Sequence, residues 1–170
     1  MKYNKNLTKE IMIKFKETTK SKELDDMLYN FEEELNHINK NYFLKESENP
    51  FIYILEYEKP EELIKQLKNQ EYALIPVTCT ANNTNHITST ILRKIKHKII
   101  YQDTLKINCH LDTYSITKTE DEIKDEITKR IENTTGLKTS NTPVWNIEIY
   151  LIGDISAINI TKNNKNKIST

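Results

Sequence analysis

This chain of 170 residues holds two glycines, Gly136 and Gly153, and that scarcity restricts what it can fold into. Phosphate-cradling loops of the Walker A and dinucleotide-binding kinds need several glycines close together, so those nucleotide-binding folds are excluded. Each glycine sits where a chain would change direction. Gly153 divides two β-branched runs in WNIEIYLIGDISAINI, residues 145–160. Gly153-Asp154 suits a two-residue hairpin loop of the primed turn types, which need positive φ. With period-two alternation, Ile147, Ile149 and Leu151 share one strand face, and Glu148, Tyr150 and Ile152 share the other. Gly136 follows a helical pattern and reads as its C-terminal stop.

Ahead of that hairpin, strand and helix periodicities alternate. A strand is expected at Ile11–Phe15. Residues 22–38 place Leu24, Leu28, Phe31, Leu35 and Ile38 at helical spacing, with Ser21 as a cap. Short strands follow at 42–44 and 51–57, then a helix over 60–69 opened by Pro60, then a strand over 72–79. Pro76 inside that strand predicts an edge or a bulge. The first 80 residues thus read β-α-β-β-α-β, the split βαβ or ferredoxin-like order. Beyond them, Ile87, Ile91, Ile95 and Ile99 repeat every four and predict a helix over 84–100. Leu105, Ile107, Cys109 and Leu111 alternate as a half-buried strand. Thr119-Glu-Asp-Glu122 is a capping box opening a helix with Ile123, Ile127 and Ile131 on one face. Residues 138–143 read as a loop, and 162–170 as a polar tail. The fold class is α+β.

Lys and Arg total 25, as do Asp and Glu, so net charge is zero and points to no partner by itself. Residues 1–80 carry 12 basic against 15 acidic residues, and 81–170 carry 13 against 10. The basic excess lies in the second half, though a solvated surface explains so mild an asymmetry equally well. The two cysteines, Cys79 and Cys109, lack CxxC spacing and read as small core residues of an intracellular protein. No apolar run approaches the ~20 residues of a membrane span, and no signal peptide is visible.

No catalytic motif stands out, and the chain is expected not to be an enzyme. No cofactor-binding pattern is present. The four histidines, His37, His86, His97 and His110, match no zinc spacing, so no metal site is expected. The acidic clusters at 32–34 and 121–126 suit a solvated face and a helix N-terminus. Tyr42, Phe43, Phe51, Tyr53 and Tyr57 could form a base-stacking platform, although aromatic residues more often fill a core. The best candidate is Arg93, Lys94, Lys96, His97 and Lys98, around the arc left free by the isoleucine stripe. Lys94 and Lys98 share one line, as do Arg93 and His97. Such lysines also favour a helix C-terminus through the macrodipole, so the patch is either a stabilised helix end or a phosphate-binding ridge. Lys118 and Lys138, at expected loop positions, would extend it.

The order of elements over 84–161, with certain residues, resembles a THUMP domain. The match is carried by Glu132-Asn-Thr-Thr-Gly136-Leu-Lys138, the Pro143 loop, Ile147-Glu-Ile-Tyr-Leu-Ile-Gly-Asp154 and Ile155-Ser-Ala-Ile158, with Ile75-Pro-Val-Thr78 as the entry segment. The segment ahead of it resembles the companion domain that usually precedes THUMP. The resemblance covers about residues 8–161. It implies a ferredoxin-like domain at 1–80, a THUMP domain at 81–161 and a flexible tail at 162–170. It further implies binding of tRNA through Arg93, Lys94, Lys96, His97, Lys98, Lys118 and Lys138. Stand-alone THUMP proteins assist a separate acetyltransferase that makes N4-acetylcytidine in tRNA, which implies that partner, a cytoplasmic setting and a non-catalytic role. Family members often carry a Lys-Arg pair before the second helix, where this chain has Cys109-His110-Leu111-Asp112. That departure, with zero net charge, motivates a second reading as a protein–protein adaptor with weak RNA affinity of its own. A third is a small enzyme on a ferredoxin-like frame, which hosts many activities.

Overall fold

The structure, a computed structural model, describes residues 9–100, 102–111 and 119–163. The chain divides between Thr78 and Cys79 into two compact units. In the first, the elements run β1 (Glu10–Phe15), α1 (Ser21–Ile38), β2 (Phe43–Glu46), β3 (Ile52–Glu56), α2 (Pro60–Gln66) and β4 (Tyr72–Ala81). The sheet order there is β2-β3-β1-β4, and β1 pairs antiparallel with both β3 and β4. The β1–β4 register runs through Ile11↔Pro76 without interruption, so Pro76 makes no bulge against β1. Ser21 does not cap α1. It is the first helical residue, after Lys20 at the N-cap position, and Thr18 Oγ1 instead accepts from the Lys20 N–H at 3.2 Å.

The first core gathers Ile11, Ile13 and Phe15 of β1 with Phe31 and Leu35 of α1. Phe31 meets Phe15 and Tyr72 edge-on, at centroid distances of 5.9 and 5.1 Å, the arrangement the ring quadrupole favours. Tyr57 is buried, and Tyr42 and Tyr53 pack on the same cluster. The expected stacking platform is therefore mostly core, and of those five aromatics only Phe43 is largely exposed.

In the second unit, α3 (Thr84–Ile95), β5 (Thr104–Leu111), α4 (Glu120–Thr135), β6 (Lys138–Thr139), β7 (Trp145–Ile152) and β8 (Ile155–Lys162) follow in sequence. The order is β8-β7-β5-β6. β7 and β8 form an antiparallel hairpin, while β5 lies parallel to both β6 and β7. Parallel neighbours need a crossover, and α4 provides it. Isoleucine dominates the core: Ile87, Ile91 and Ile95 of α3, Ile123, Ile127 and Ile131 of α4, and Ile107, Ile147 and Ile149 of the sheet. Each such side chain contributes about 1.5–3 kcal/mol on burial, so these stripes hold both helices on one face of the sheet.

Two local differences from the sequence reading matter for the site. The helix expected over 84–100 ends at Ile95, because the next apolar anchor, Ile99, is only partly buried. The chain goes on as a tighter turn, with Lys98 N–H donating to Ile95 O at 2.8 Å. Lys138 lies on the two-residue strand β6, paired with Thr104, rather than in a loop.

Candidate nucleic-acid interface

Asn83 starts α3 by accepting the His86 N–H on its side-chain oxygen at 2.9 Å. Its neighbour Asn82 ties that start to the hairpin turn. Asn82 Nδ2 donates to Gly153 O at 2.6 Å, its backbone N–H donates to Asp154 O at 3.1 Å, and Ser156 Oγ donates to Asn82 Oδ1 at 3.1 Å. Gly153 has φ 65°, while no positive φ is recorded for Asp154. Glycine at the first central position is the signature of a type II′ turn. The turn thus closes the hairpin and also anchors the entry of α3.

At the other end of α3 the basic residues come to the surface. Arg93, Lys94, Lys96, His97 and Lys98 are all exposed. Arg93 and Lys94 belong to the last helical turn, and Lys96, His97 and Lys98 to the turn beyond it. Among the described residues none of the five forms an ion pair with a carboxylate; Arg93 has only a 3.3 Å hydrogen bond to Thr90 Oγ1. Arg130, by contrast, is held by Glu126 and by Asn85 of α3. One arginine thus has a structural role while the other stays available. Arg93, Lys94, Lys96 and Lys98, four unneutralised cations within six positions, make a local positive field that a phosphate backbone would satisfy.

Lys138 reaches the same end of the unit. With Ile99, Ile100, Asp103 and Leu137 it lines a cavity of about 560 Å³ just past the basic turn. Asp103 builds one wall: its Oδ2 accepts from Ile100 N–H at 2.9 Å and from Trp145 Nε1–H at 3.0 Å. Gln102, at φ 75°, is the one non-glycine residue with positive φ among those described. The far wall is the end of α4, sealed by Gly136 at φ 76° and by Gly136 N–H to Glu132 O at 2.8 Å. Sequence reading missed Asp103 and Trp145, since a lone acid and a lone indole carry no spacing signal. Lys118 lies outside the described residues.

The position where family members often carry the cation pair lies on the sheet face opposite the isoleucine core. His110 stacks on Tyr150 at 4.7 Å and 14°, and its Nε2 stands 3.5 Å from Glu148 Oε1. Beside it, Leu111 N–H donates to Glu120 Oε1 at 3.0 Å. Two carboxylates therefore occupy the region, which offers a phosphate no uncompensated charge. Cys109 is buried, and burial first, then Glu120, pushes its thiol up to about 12 from an ordinary 9.0, so it does not serve as a nucleophile near neutral pH. No cluster of three or more potential metal ligands occurs among the described residues, and no described helix is long and apolar enough to cross a membrane.

No family model and no curated protein matches the sequence. Solved structures do match it. PH1313 from Pyrococcus horikoshii Ot3 aligns with a TM-score of 0.72 and 15% identity, over 91% of this chain and 54% of that one. A 4-thiouridine synthetase, solved as an RNA complex with bound ATP, aligns with a TM-score of 0.60 and 11% identity, over 91% and 41%. TrmN from Thermus thermophilus aligns at 0.56 and 9%, over 89% and 45%. The chain thus spans about half or less of the length of these neighbours. Likeness at such identities establishes the fold, and it agrees with a mixed α/β, THUMP-like frame.

The same neighbours overturn the expectation that the chain is not an enzyme. They include a synthetase and, at a TM-score of 0.51 and 11% identity, SMU.472, a putative methyltransferase complexed with SAH. The earlier reading rested on missing motifs. A motif search sees only residues close together in sequence, whereas catalytic groups are assembled in space from separate elements.

Proposed function

We propose that the chain binds RNA, tRNA in the first instance, and serves tRNA modification. The single observation carrying this reading is the set of exposed, unpaired basic residues Arg93, Lys94, Lys96, His97 and Lys98 at the end of α3, with Lys138 on the cavity beside them. These groups neutralise phosphates. In this reading residues 1–80 are a ferredoxin-like domain, residues 81–161 a THUMP domain with its C-terminal hairpin, and the setting is cytoplasmic. Support comes from the element order βαββαβ in the first unit and from the fold shared with a synthetase solved bound to RNA. The finer form of the proposal is assistance to an acetyltransferase that forms N4-acetylcytidine.

The test is tRNA binding across a salt series. Lys94→Glu with Lys98→Glu is expected to weaken binding and to flatten the plot of log affinity against log salt by about 1.5, at ~0.7–0.9 per lost phosphate contact. Equal affinity of double variant and wild type at every salt concentration would remove these residues from the site.

A second reading, a protein–protein adaptor with weak RNA affinity, is favoured by His110, held on Tyr150, and the carboxylate of Glu148 beside it. Capture of a tRNA-modifying acetyltransferase after nuclease treatment supports the adaptor, and tight binding of tRNA by the isolated chain counts against it.

A further inference from the structure

The basic turn runs directly into the cavity past α3, and the two differ in chemistry. The turn is cationic. The cavity is lined by the aliphatic side chains of Ile99, Ile100 and Leu137 and by Asp103, among others. Ile100 is two residues beyond Lys98, at most about 7 Å of chain. It is 63% exposed, so apolar surface there is open to a ligand. The volume, about 560 Å³, falls within the roughly 300–1,000 Å³ of small-ligand sites.

The segment 100–103 is held in one shape. Asp103 N–H donates to Ile100 O, and Ile100 N–H donates to Asp103 Oδ2, both at 2.9 Å. Gln102 takes φ 75° at the third position of this turn, a place that glycine or asparagine usually fills. Backbone in that region persists where surrounding contacts impose it, and it recurs at ligand clamps. Trp145 Nε1–H gives Oδ2 a second hydrogen bond, at 3.0 Å. Oδ2 is thus occupied twice, whereas Oδ1 has no partner among the described residues. A fixed carboxylate beside aliphatic walls accepts from a neutral donor and repels a phosphate.

We infer that this cavity receives an unstacked nucleobase bearing an exocyclic amino group, while the basic turn holds the adjoining phosphates. The aliphatic walls cover the faces of the ring, and Asp103 Oδ1 accepts from the amino group. Apolar packing and hydrogen bonds to a base edge are the means by which proteins read a base taken out of its stack. Uracil fits poorly, because its ring N–H lies between two carbonyl oxygens that a carboxylate repels. The inference rests on the RNA-binding reading and states what that site selects.

CMP and UMP are matched probes, since they share ribose and phosphate and differ only at that edge of the ring. Each is titrated into the full chain at constant ionic strength and followed by amide NMR shifts. CMP is expected to move Ile100, Gln102, Asp103 and Leu137 and to bind about fivefold more tightly than UMP. Equal binding of the two by wild type overturns the inference. In Asp103→Asn the side-chain oxygen can keep the bonds from Ile100 and Trp145, and the amide N–H group replaces Oδ1. The preference for CMP is then expected to disappear without loss of UMP binding, whereas misfolding would lower both. A variant that keeps the wild-type preference overturns the role of Asp103. Ile100→Ser, at an exposed position, is expected to weaken both nucleotides about three- to tenfold, and unchanged affinity removes the cavity as their place of binding. If wild type prefers CMP yet binds no tRNA at any salt concentration, the RNA-binding reading fails and the cavity stands as a nucleotide site. If tRNA binds while CMP and UMP are not distinguished, the cavity inference fails and the RNA-binding reading stands.

Discussion

Asn82 and Gly153 show how far a turn residue can act. Gly153 provides the positive φ the hairpin needs, and its carbonyl accepts from Asn82, which leads into the helix that ends in the basic turn. Asn82→Ala removes two side-chain hydrogen bonds and leaves Ser156 Oγ, fully buried, without its partner. A loss of about 1–3 kcal/mol is expected by urea unfolding, since a buried polar group left unsatisfied costs that much. Gly136 carries a different cost. A Cβ there would meet nothing within 4 Å, so Gly136→Ala is opposed only by φ 76° and should cost about 1 kcal/mol. Cys109 makes a pH prediction. Its thiol is neutral in the fold up to about 12 but ionises near 9.0 once unfolded, so stability from this group is complete below pH 9 and falls as pH rises toward 12. Native protein at pH 8.5 should leave Cys109 unalkylated by mass spectrometry, and urea-unfolded protein should not.

At the scale of elements, each helix owes its position to an isoleucine stripe more than to its ends. Thr119 caps α4, accepting Glu122 N–H at 3.2 Å, and Thr119→Ala should cost about 0.5–2 kcal/mol. Ile127, fully buried at the centre of the α4 stripe, should cost about 2–5 kcal/mol on replacement by Ala. Trp145, the single tryptophan, lies in the same core, so its fluorescence reports both losses. The α4 stripe, its cap and its glycine stop were all legible in sequence, because each is a local pattern. The end of α3 was not. Ile99 continues the spacing, but helix length depends on how deeply each anchor is buried, and Ile99 packs only at the margin of the core. The strand β6 was hidden for a related reason: two residues carry no periodicity, and Lys138–Thr139 becomes a strand because β5 offers it an edge.

For the whole molecule, zero net charge hides a local field. The proposed RNA site depends on where cations lie, not on their sum, and a charge control separates the two. Lys65→Glu with Lys68→Glu changes net charge as much as Lys94→Glu with Lys98→Glu, at exposed positions of the first unit. It is expected to leave tRNA affinity within about twofold of wild type at a given salt concentration, because the proposed phosphate contacts all belong to the second unit. A loss equal to that of the Lys94 and Lys98 pair would mean that binding follows total charge.

The α+β class, the order of the longer strands and helices, the isoleucine faces and the basic stretch at 93–98 were determined by the sequence alone. Each rests on spacing between near neighbours, and spacing fixes which residues share a face. Tertiary structure decided which cations stand together and which are cancelled. It set Lys138 beside the end of α3 and turned His110 onto Tyr150 and Glu148. Those relations join residues far apart in the chain, and they arise only when the parallel crossover through α4 brings β5, β6 and β7 into one sheet.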